Sequence, residues 1–170
     1  MTTPERTVPS TTADERSMLE EWLDFHRETL AGKCAGLTEE QLGEASVAPS
    51  ELSLLGLTRH MAEVERHWFR RILIGEDPGG IYDSEEDPDG DFHHGETDTW
   101  AEAHDTWQAE IARAREIAAG LTLDDLSTGP HRAGKTFNLR WIYVHMIEEY
   151  ARHNGHADLI RERIDGATGA

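Results

Sequence analysis

The sequence predicts an all-α protein and, more narrowly, a four-helix bundle. Four segments carry apolar residues at helical spacing, and most are bounded by residues that cap or stop helices. Nowhere do apolar and polar residues alternate over a run rich in β-forming residues. Four amphipathic helices in 170 residues can enclose one core. We therefore expect a single domain over residues 13–166, between a mobile N-terminal tail (1–12) and a C-terminal tail (167–170).

The first half of the chain contains two of the predicted helices. The first covers residues 13–31, and the second covers residues 53–74, where Gly75 stops it. Between them, Thr38 and Gln41 have the spacing of a capping box, in which two side chains satisfy the free amides at a helix start. This spacing predicts a short turn of helix.

The second half contains the other two helices, at residues 97–119 and 138–164, with Asn138 as the cap of the last one. The acidic stretch 76–96 contains proline and glycine and has no helical period. We expect it to form a long irregular connection, and such connections often act as lids or binding loops. Residues 127–137 form a second polar connection.

Composition excludes several classes of partner. The formal net charge is -18, from 34 acidic and 16 basic residues, which argues against binding nucleic acid or an anionic membrane. The single cysteine, Cys34, excludes an internal disulfide and a thiolate zinc knot. Because no apolar run approaches the ~20 residues that span a bilayer, and no secretory signal is evident, we expect a cytoplasmic protein. The sequence leaves a homodimer open.

The run from His145 to His156 is the most informative stretch for function. On a helix, these two histidines, Glu149 and His153 lie within an arc of roughly 80°. Glu149 and His153 are one turn apart, the separation at which two side chains can reach one metal ion. Several imidazoles and a carboxylate on one face of an otherwise apolar region indicate a divalent metal site inside the bundle.

The second helix offers further imidazoles to this site. His60 lies among apolar residues, and His67 is only about 20° from the same face of an α-helix. One histidine from this helix and the pair Glu149 and His153 would leave coordination positions open, as in catalytic metal sites. The spacing also permits a different structure, in which the histidines are hydrogen-bonded core residues and Glu149 pairs with Arg152 or with an arginine on a facing helix.

Other side chains are candidates for supporting roles. His145, His156 and His67 are candidates for proton transfer or for supporting the ligands. Trp22, His26 and Trp68 are candidates to line a pocket. The donor set favours zinc, with nickel, iron and manganese as alternatives.

Two segments resemble the DinB-like superfamily of four-helix metalloproteins, and more narrowly a subfamily of actinobacterial proteins in that group. They are LSLLGLTRHMAEVERHWFRR (52–71) and HMIEEYARHNGHADLIRE (145–162), within a resemblance that spans residues 13–166. It implies a divalent ion held by His60, Glu149 and His153. Most of the superfamily uses three histidines; the His-Glu-His set is similar to that of mycothiol-dependent maleylpyruvate isomerase.

The resemblance also implies a function. Relatives, including thiol S-transferases, use the metal to activate a low-molecular-weight thiol for transfer to an electrophile or for isomerisation. We therefore expect a metal-dependent thiol transferase or isomerase that binds mycothiol and a small electrophile, in which Cys34 is not the nucleophile. The alternative is a non-catalytic, stress-related protein that binds a metal or a small ligand.

Overall fold

A computed structural model describes residues 6–169 and confirms the predicted all-α bundle. Within that range the chain forms no β-strand, only an isolated bridge between Leu126 and Asn138. The helices are α1 (Glu15–Cys34), α2 (Glu39–Leu42), α3 (Leu54–Glu65, continued by a π-helical segment, Arg66–Leu73), α4 (Trp100–Ala119) and α5 (Leu139–Asp165). The short α2 is the predicted capped turn, and the four long helices build the bundle.

Local side-chain chemistry explains most of the helix ends. The side chain of Thr38 accepts from the backbone amide of Gln41, whose own side chain accepts from the backbone amide of Thr38, so the capping box is confirmed. Asn138 caps α5 as predicted. The predicted start of α4 at residue 97 is wrong, because Thr99 is the cap. The first helix extends beyond residue 31, since the positive φ that ends it occurs at Gly36.

The described part of the N-terminal tail lies along α1. The backbone amides of Thr7 and Ser10 donate to the carboxylates of Glu28 and Glu21, at 2.8 and 2.7 Å. The predicted mobility of residues 1–12 falls partly on residues 1–5, which lie outside the described residues, as does residue 170 of the C-terminal tail.

The helices pack in two main pairs, α1 with α5 and α3 with α4, and α3 also contacts α5. The core consists mainly of aliphatic side chains from all four long helices, including Leu23, Leu30, Leu57, Met61, Phe69, Trp107, Ile111, Ile142 and Met146. Burying one such side chain contributes about 1.5–3 kcal/mol. None of the helices in residues 6–169 has the length and apolar character needed to cross a bilayer.

A buried polar network joins the four long helices. The Glu65 side chain on α3 is fully buried, and its two carboxylate oxygens accept from Nε and Nη2 of Arg27 on α1, both at 2.8 Å. Tyr150 on α5 donates its hydroxyl to Glu65 at 2.8 Å, and Trp107 on α4 donates Nε1 to that hydroxyl at 2.7 Å. Because each member comes from a different helix, the network sets how the helices are rotated against one another.

The π-helical segment ends against the connection 127–137. The amides of Thr128 and Gly129 donate to the carbonyls of Leu73 and Ile72, at 3.0 and 2.9 Å. A Cβ atom at Gly129 would lie 1.8 Å from a backbone oxygen of this segment, so the close approach requires glycine. This contact brings the second connection beside the end of the second long helix.

Candidate metal centre

His60 on α3 and the pair Glu149 and His153 on α5 converge in the bundle. One potential ligand atom from each residue lies within 4.8 Å of the other two. The ring centroids of His60 and His153 are 4.6 Å apart. Two ligands of one zinc ion are at most about 4.4 Å apart, twice the longest bond, so small side-chain rotations would bring all three to a common ion. The residues present therefore fit a divalent metal.

The long loop between α3 and α4 supplies a partner for His60. Oδ2 of Asp91 is 2.6 Å from Nδ1 of His60, and both side chains are largely buried. The ring of His60 also stacks on that of Phe92, with centroids 4.5 Å apart. A carboxylate at Nδ1 favours the tautomer with the proton on that nitrogen and leaves Nε2 as the ligand atom. Asp91 thus gives His60 the support that metal-binding histidines commonly have.

Glu149 lies between two imidazoles. Its Oε2 is 3.6 Å from Nε2 of His153, and its Oε1 is 3.4 Å from Nε2 of His145. The close approach of His153 holds the pKa of Glu149 below its ordinary value, assisted by His145 and His60 and opposed by burial. The Glu149 carboxylate is therefore anionic at neutral pH, which is the form that binds a metal.

The neighbours on α5 differ in their relation to this site. Nδ1 of His156 is 3.4 Å from Nδ1 of His153, so His156 contacts the ring on the side away from Glu149. His145, Glu148 and Glu149 form a second group with ligand spacing, all on one helix. Glu148 is exposed and accepts from Arg152 at 2.6 Å, so Arg152 does not make the alternative pair with Glu149.

His67 belongs to neither group of potential ligands. Seven residues of helix separate His67 from His60 by about 10 Å along the axis, so a similar face does not bring the two rings together. The chain also becomes π-helical at Arg66, just before His67. The His67 ring lies edge-on to that of Trp68, and burial, followed by the charge of Arg71, lowers the pKa of His67. Trp68 itself reaches His145, with ring centroids 4.5 Å apart.

Trp22 and His26 lie on α1 and contact each other and Phe25. The side-chain amide of Asn154, next to His153 in the chain, donates to the carbonyl oxygen of His26 at 3.0 Å. His26 therefore packs against α5, where its backbone carbonyl is bound by Asn154, the residue after the candidate ligand His153. A role for Trp22 and His26 in a pocket stays a prediction.

A separate cleft of about 600 Å³ opens between α1, α4 and the first turns of α5. None of His60, Glu149 and His153 lines it. The Glu20 carboxylate within it accepts from both Arg16 and Tyr143. The converging imidazoles and carboxylate lie outside this cleft, and we place the chemistry with them.

Sequence reasoning missed Asp91 and Phe92. Both lie in the acidic loop, where nothing in the local pattern separates Asp91 from its acidic neighbours Asp87 and Asp89. The only available signal was the general need of a metal-binding histidine for a hydrogen-bond partner. That need predicts that such a partner exists, but it does not identify the residue.

The fold is a four-helix bundle, and two of its helices bring two imidazoles and a carboxylate close together. This combination defines the class of protein: a helical bundle with side chains that could hold a metal ion. The sequence matches the model of a family described as Mycothiol-S-transferase over residues 18–166. The chain belongs to this DinB-like family, which confirms the predicted relationship. No curated protein matched the sequence.

Proposed function

We propose that the protein transfers the thiol of mycothiol to a small electrophile, with the help of a divalent ion, zinc in the first place, held by His60, Glu149 and His153. The observation that carries this proposal is the convergence of these three side chains, with Asp91 behind His60. The family match over residues 18–166 supports the thiol and the type of reaction.

The exposure of the candidate ligands suits a catalytic site. The side chains of His60 and Glu149 each keep 19% of their surface accessible, whereas that of His153 keeps 10%. A structural site is closed by four protein ligands, but three ligands beside solvent leave room for a thiol. When bound, the ion supplies Lewis acidity that lowers the pKa of a thiol towards neutrality.

The remaining steps fall to side chains of the chain itself. The imidazole of His145 lies beside Glu149, 3.4 Å from its Oε1, and this ring is the candidate base for the proton that the thiol loses. The sulfur then forms a bond to the electrophilic carbon, and the leaving group departs with the electron pair of the broken bond. In an addition or isomerisation, that pair moves into a conjugated carbonyl instead. Cys34 takes no part, because burial raises its pKa to about 11.

A second function, metal or small-ligand binding without catalysis, is favoured by one observation. The three candidate ligands come from α3 and α5, so a bound ion would join two helices and stabilise the bundle. Metal binding alone therefore does not separate the two functions, and a thiol-dependent measurement is needed.

The first experiment measures metal content after purification without chelators. We expect about one ion per chain in the wild type and a strong loss in Glu149→Ala. The matched control is Glu148→Ala, since Glu148 is adjacent but exposed and pairs with Arg152. Unchanged metal content in Glu149→Ala would move the ligand assignment to other residues.

The second experiment replaces the native ion with cobalt and follows the visible spectrum as mycothiol is added. A thiolate that binds the ion should change the spectrum, and a panel of electrophiles should then show turnover. No spectral change with mycothiol or another thiol, at saturating cobalt, would favour the non-catalytic function.

A further inference from the structure

A group of aromatic side chains lies next to the candidate metal centre. It is formed by the π-helical end of the second long helix, the connection 127–137 and the first turn of α5, and we call it the aromatic wall: Trp68, His131, Phe137 and Trp141. Ring centroids are 5.3 Å apart for Trp68 and Trp141, 5.3 Å for Trp68 and Phe137, and 4.4 Å for Phe137 and Trp141.

His145 connects the wall to the metal centre. Its ring stacks on Trp141, with centroids 5.0 Å apart and planes only 15° apart, and it meets the edge of Trp68 at 4.5 Å. The same ring places Nε2 3.4 Å from Glu149. A planar molecule lying on the wall would therefore have one end a single side chain away from a proposed metal ligand.

The wall keeps aromatic surface in contact with solvent. Trp141 is 43% exposed, and Val144, one turn further along α5, is 54% exposed. Trp141 packs on Phe137 and His145, so its ring is held in place although much of it is accessible. The accessible part of this fixed indole is aromatic surface against which another flat ring can pack, edge-on or offset.

The surroundings of the wall are basic in a strongly acidic protein. The connection 127–137 contains His131, Arg132 and Lys135 and no acidic residue, in a chain whose net charge is -18. Arg71, at the end of the second long helix, and Arg132 both act on His67, where their positive charges add to burial in lowering its pKa, while Asp83 opposes them. Arg71 also lies 3.9 Å from the exposed Asp77, so the positive charge on this side comes mainly from Arg132. Local positive charge of this kind attracts anions and opposes cations.

We infer that the electrophile is a planar aromatic or conjugated molecule that carries an anionic group. Its ring lies on Trp141 and Trp68, its charge is directed to Arg132 and its neighbours, and its electrophilic carbon points towards Glu149. The reaction part of this inference rests on the proposed transferase function, whereas the binding part does not. Binding is therefore tested first, with molecules that cannot react.

The binding test uses isothermal titration calorimetry of the metal-loaded protein with three probes. These are 2-naphthalenesulfonate, which is flat and anionic, 1-octanesulfonate, which is anionic and flexible, and 2-naphthalenemethanol, which is flat and neutral. Sulfonate is a weak metal ligand, so coordination does not dominate. We expect the first probe to bind about 10-fold tighter than either of the others, the size of one good aromatic stack. Equal affinities for the three probes would overturn the inference.

Two variants locate the binding. Trp141→Ala should weaken binding of 2-naphthalenesulfonate about 10-fold. Arg132→Gln should weaken binding of 2-naphthalenesulfonate but leave the affinity for 2-naphthalenemethanol unchanged. The control is Leu159→Ala, because Leu159 is also on α5 and is 56% exposed. Circular dichroism checks that each variant folds. Equal affinities of Trp141→Ala and Leu159→Ala for 2-naphthalenesulfonate would show that the probe binds elsewhere. That result would refute the proposed binding of the ring on the aromatic wall.

The reaction test uses mycothiol with 4-(bromomethyl)benzoate and 6-bromohexanoate. In both, a C–S bond forms, the C–Br bond breaks and bromide leaves, while the thiol proton passes to a base. We expect Trp141→Ala to lower kcat/KM about 10-fold for the aromatic bromide only. Equal losses for both bromides would refute the inference but keep the transferase. Turnover of neither bromide would count against the proposed transferase function. Binding of a flat anion on the aromatic wall would then be judged from the calorimetry alone.

Discussion

Asp91 provides a sharp test of the candidate metal centre, because it is not itself a proposed ligand and its Oδ2 contacts His60, while its Oδ1 accepts from the backbone amide of Phe92. Its Oδ2 atom is 2.6 Å from Nδ1 of His60, a short bond of the charge-assisted kind. Zinc on Nε2 would keep the proton on Nδ1, so in the metal-bound state Asp91→Ala leaves this largely buried N–H without its partner, which costs about 1–3 kcal/mol. The metal-free ring can change tautomer and avoid that cost. Each 1.4 kcal/mol is tenfold in affinity, so zinc binding should weaken by about 10–100-fold.

Asp91→Asn should have a smaller effect, about 10-fold, because an amide oxygen still accepts from Nδ1 but carries no charge. Competition with a chromogenic chelator at pH 7.5 measures the affinity. The control is Asp87→Asn, since Asp87 lies in the same loop and binds the exposed His93. If Asp91→Ala binds zinc as tightly as the wild type does, His60 is not held by Asp91 for metal binding and the site must be reassigned.

Three further predictions concern stability and reactivity. Arg27→Met leaves the fully buried Glu65 without its guanidinium, so we expect a loss of about 3–5 kcal/mol and of about 6–20 °C in Tm. The double variant Arg27→Met/Glu65→Met should recover much of that loss, and a still larger loss would contradict the reasoning. Burial raises the pKa of Cys34 to about 11, so about one thiol in a thousand should be ionised at pH 8. We therefore expect Cys34 to react with a disulfide reagent only in urea. Rapid labelling of the native protein would count against its burial. Burial lowers the pKa of both His67 and His94. Below about pH 6.5 the unfolded state therefore binds more protons than the native state. As a result, the free energy of unfolding should fall towards pH 5. Urea midpoints at pH 7.5 and 5.5 measure this loss, which should shrink in His67→Gln; an unchanged difference in that variant would exclude His67 as a source.

Local patterns explain why much of the fold was predictable. Each long helix carries its own apolar period, and Asn138 caps α5 through atoms three residues away. The spacing of Glu149 and His153 needs only the geometry of one helix. Bringing His60 to the same point needs two helices to meet, and the family resemblance supplied that information.

The features that escaped prediction depend on residues far apart in the chain. Asp91 meets His60 across 31 positions, and Tyr150 meets Glu65 across 85. No periodicity encodes such pairs, and an acidic loop offers many equivalent carboxylates. The change to π-helix at Arg66 also escaped, because α-helical and π-helical segments use the same apolar residues and differ only in hydrogen-bond spacing.

The π-helical segment has a consequence for how such a protein can change during evolution. His60 precedes it, whereas Trp68 lies inside it. An insertion or deletion of one residue there can be absorbed by exchanging π-helical for α-helical turns, which rotates Trp68 about the helix axis by up to about 100°. His60 keeps its position on the unchanged α-helical part. Length variation at residues 66–73 would thus let a lineage remodel the proposed electrophile surface while the proposed metal ligands stay the same.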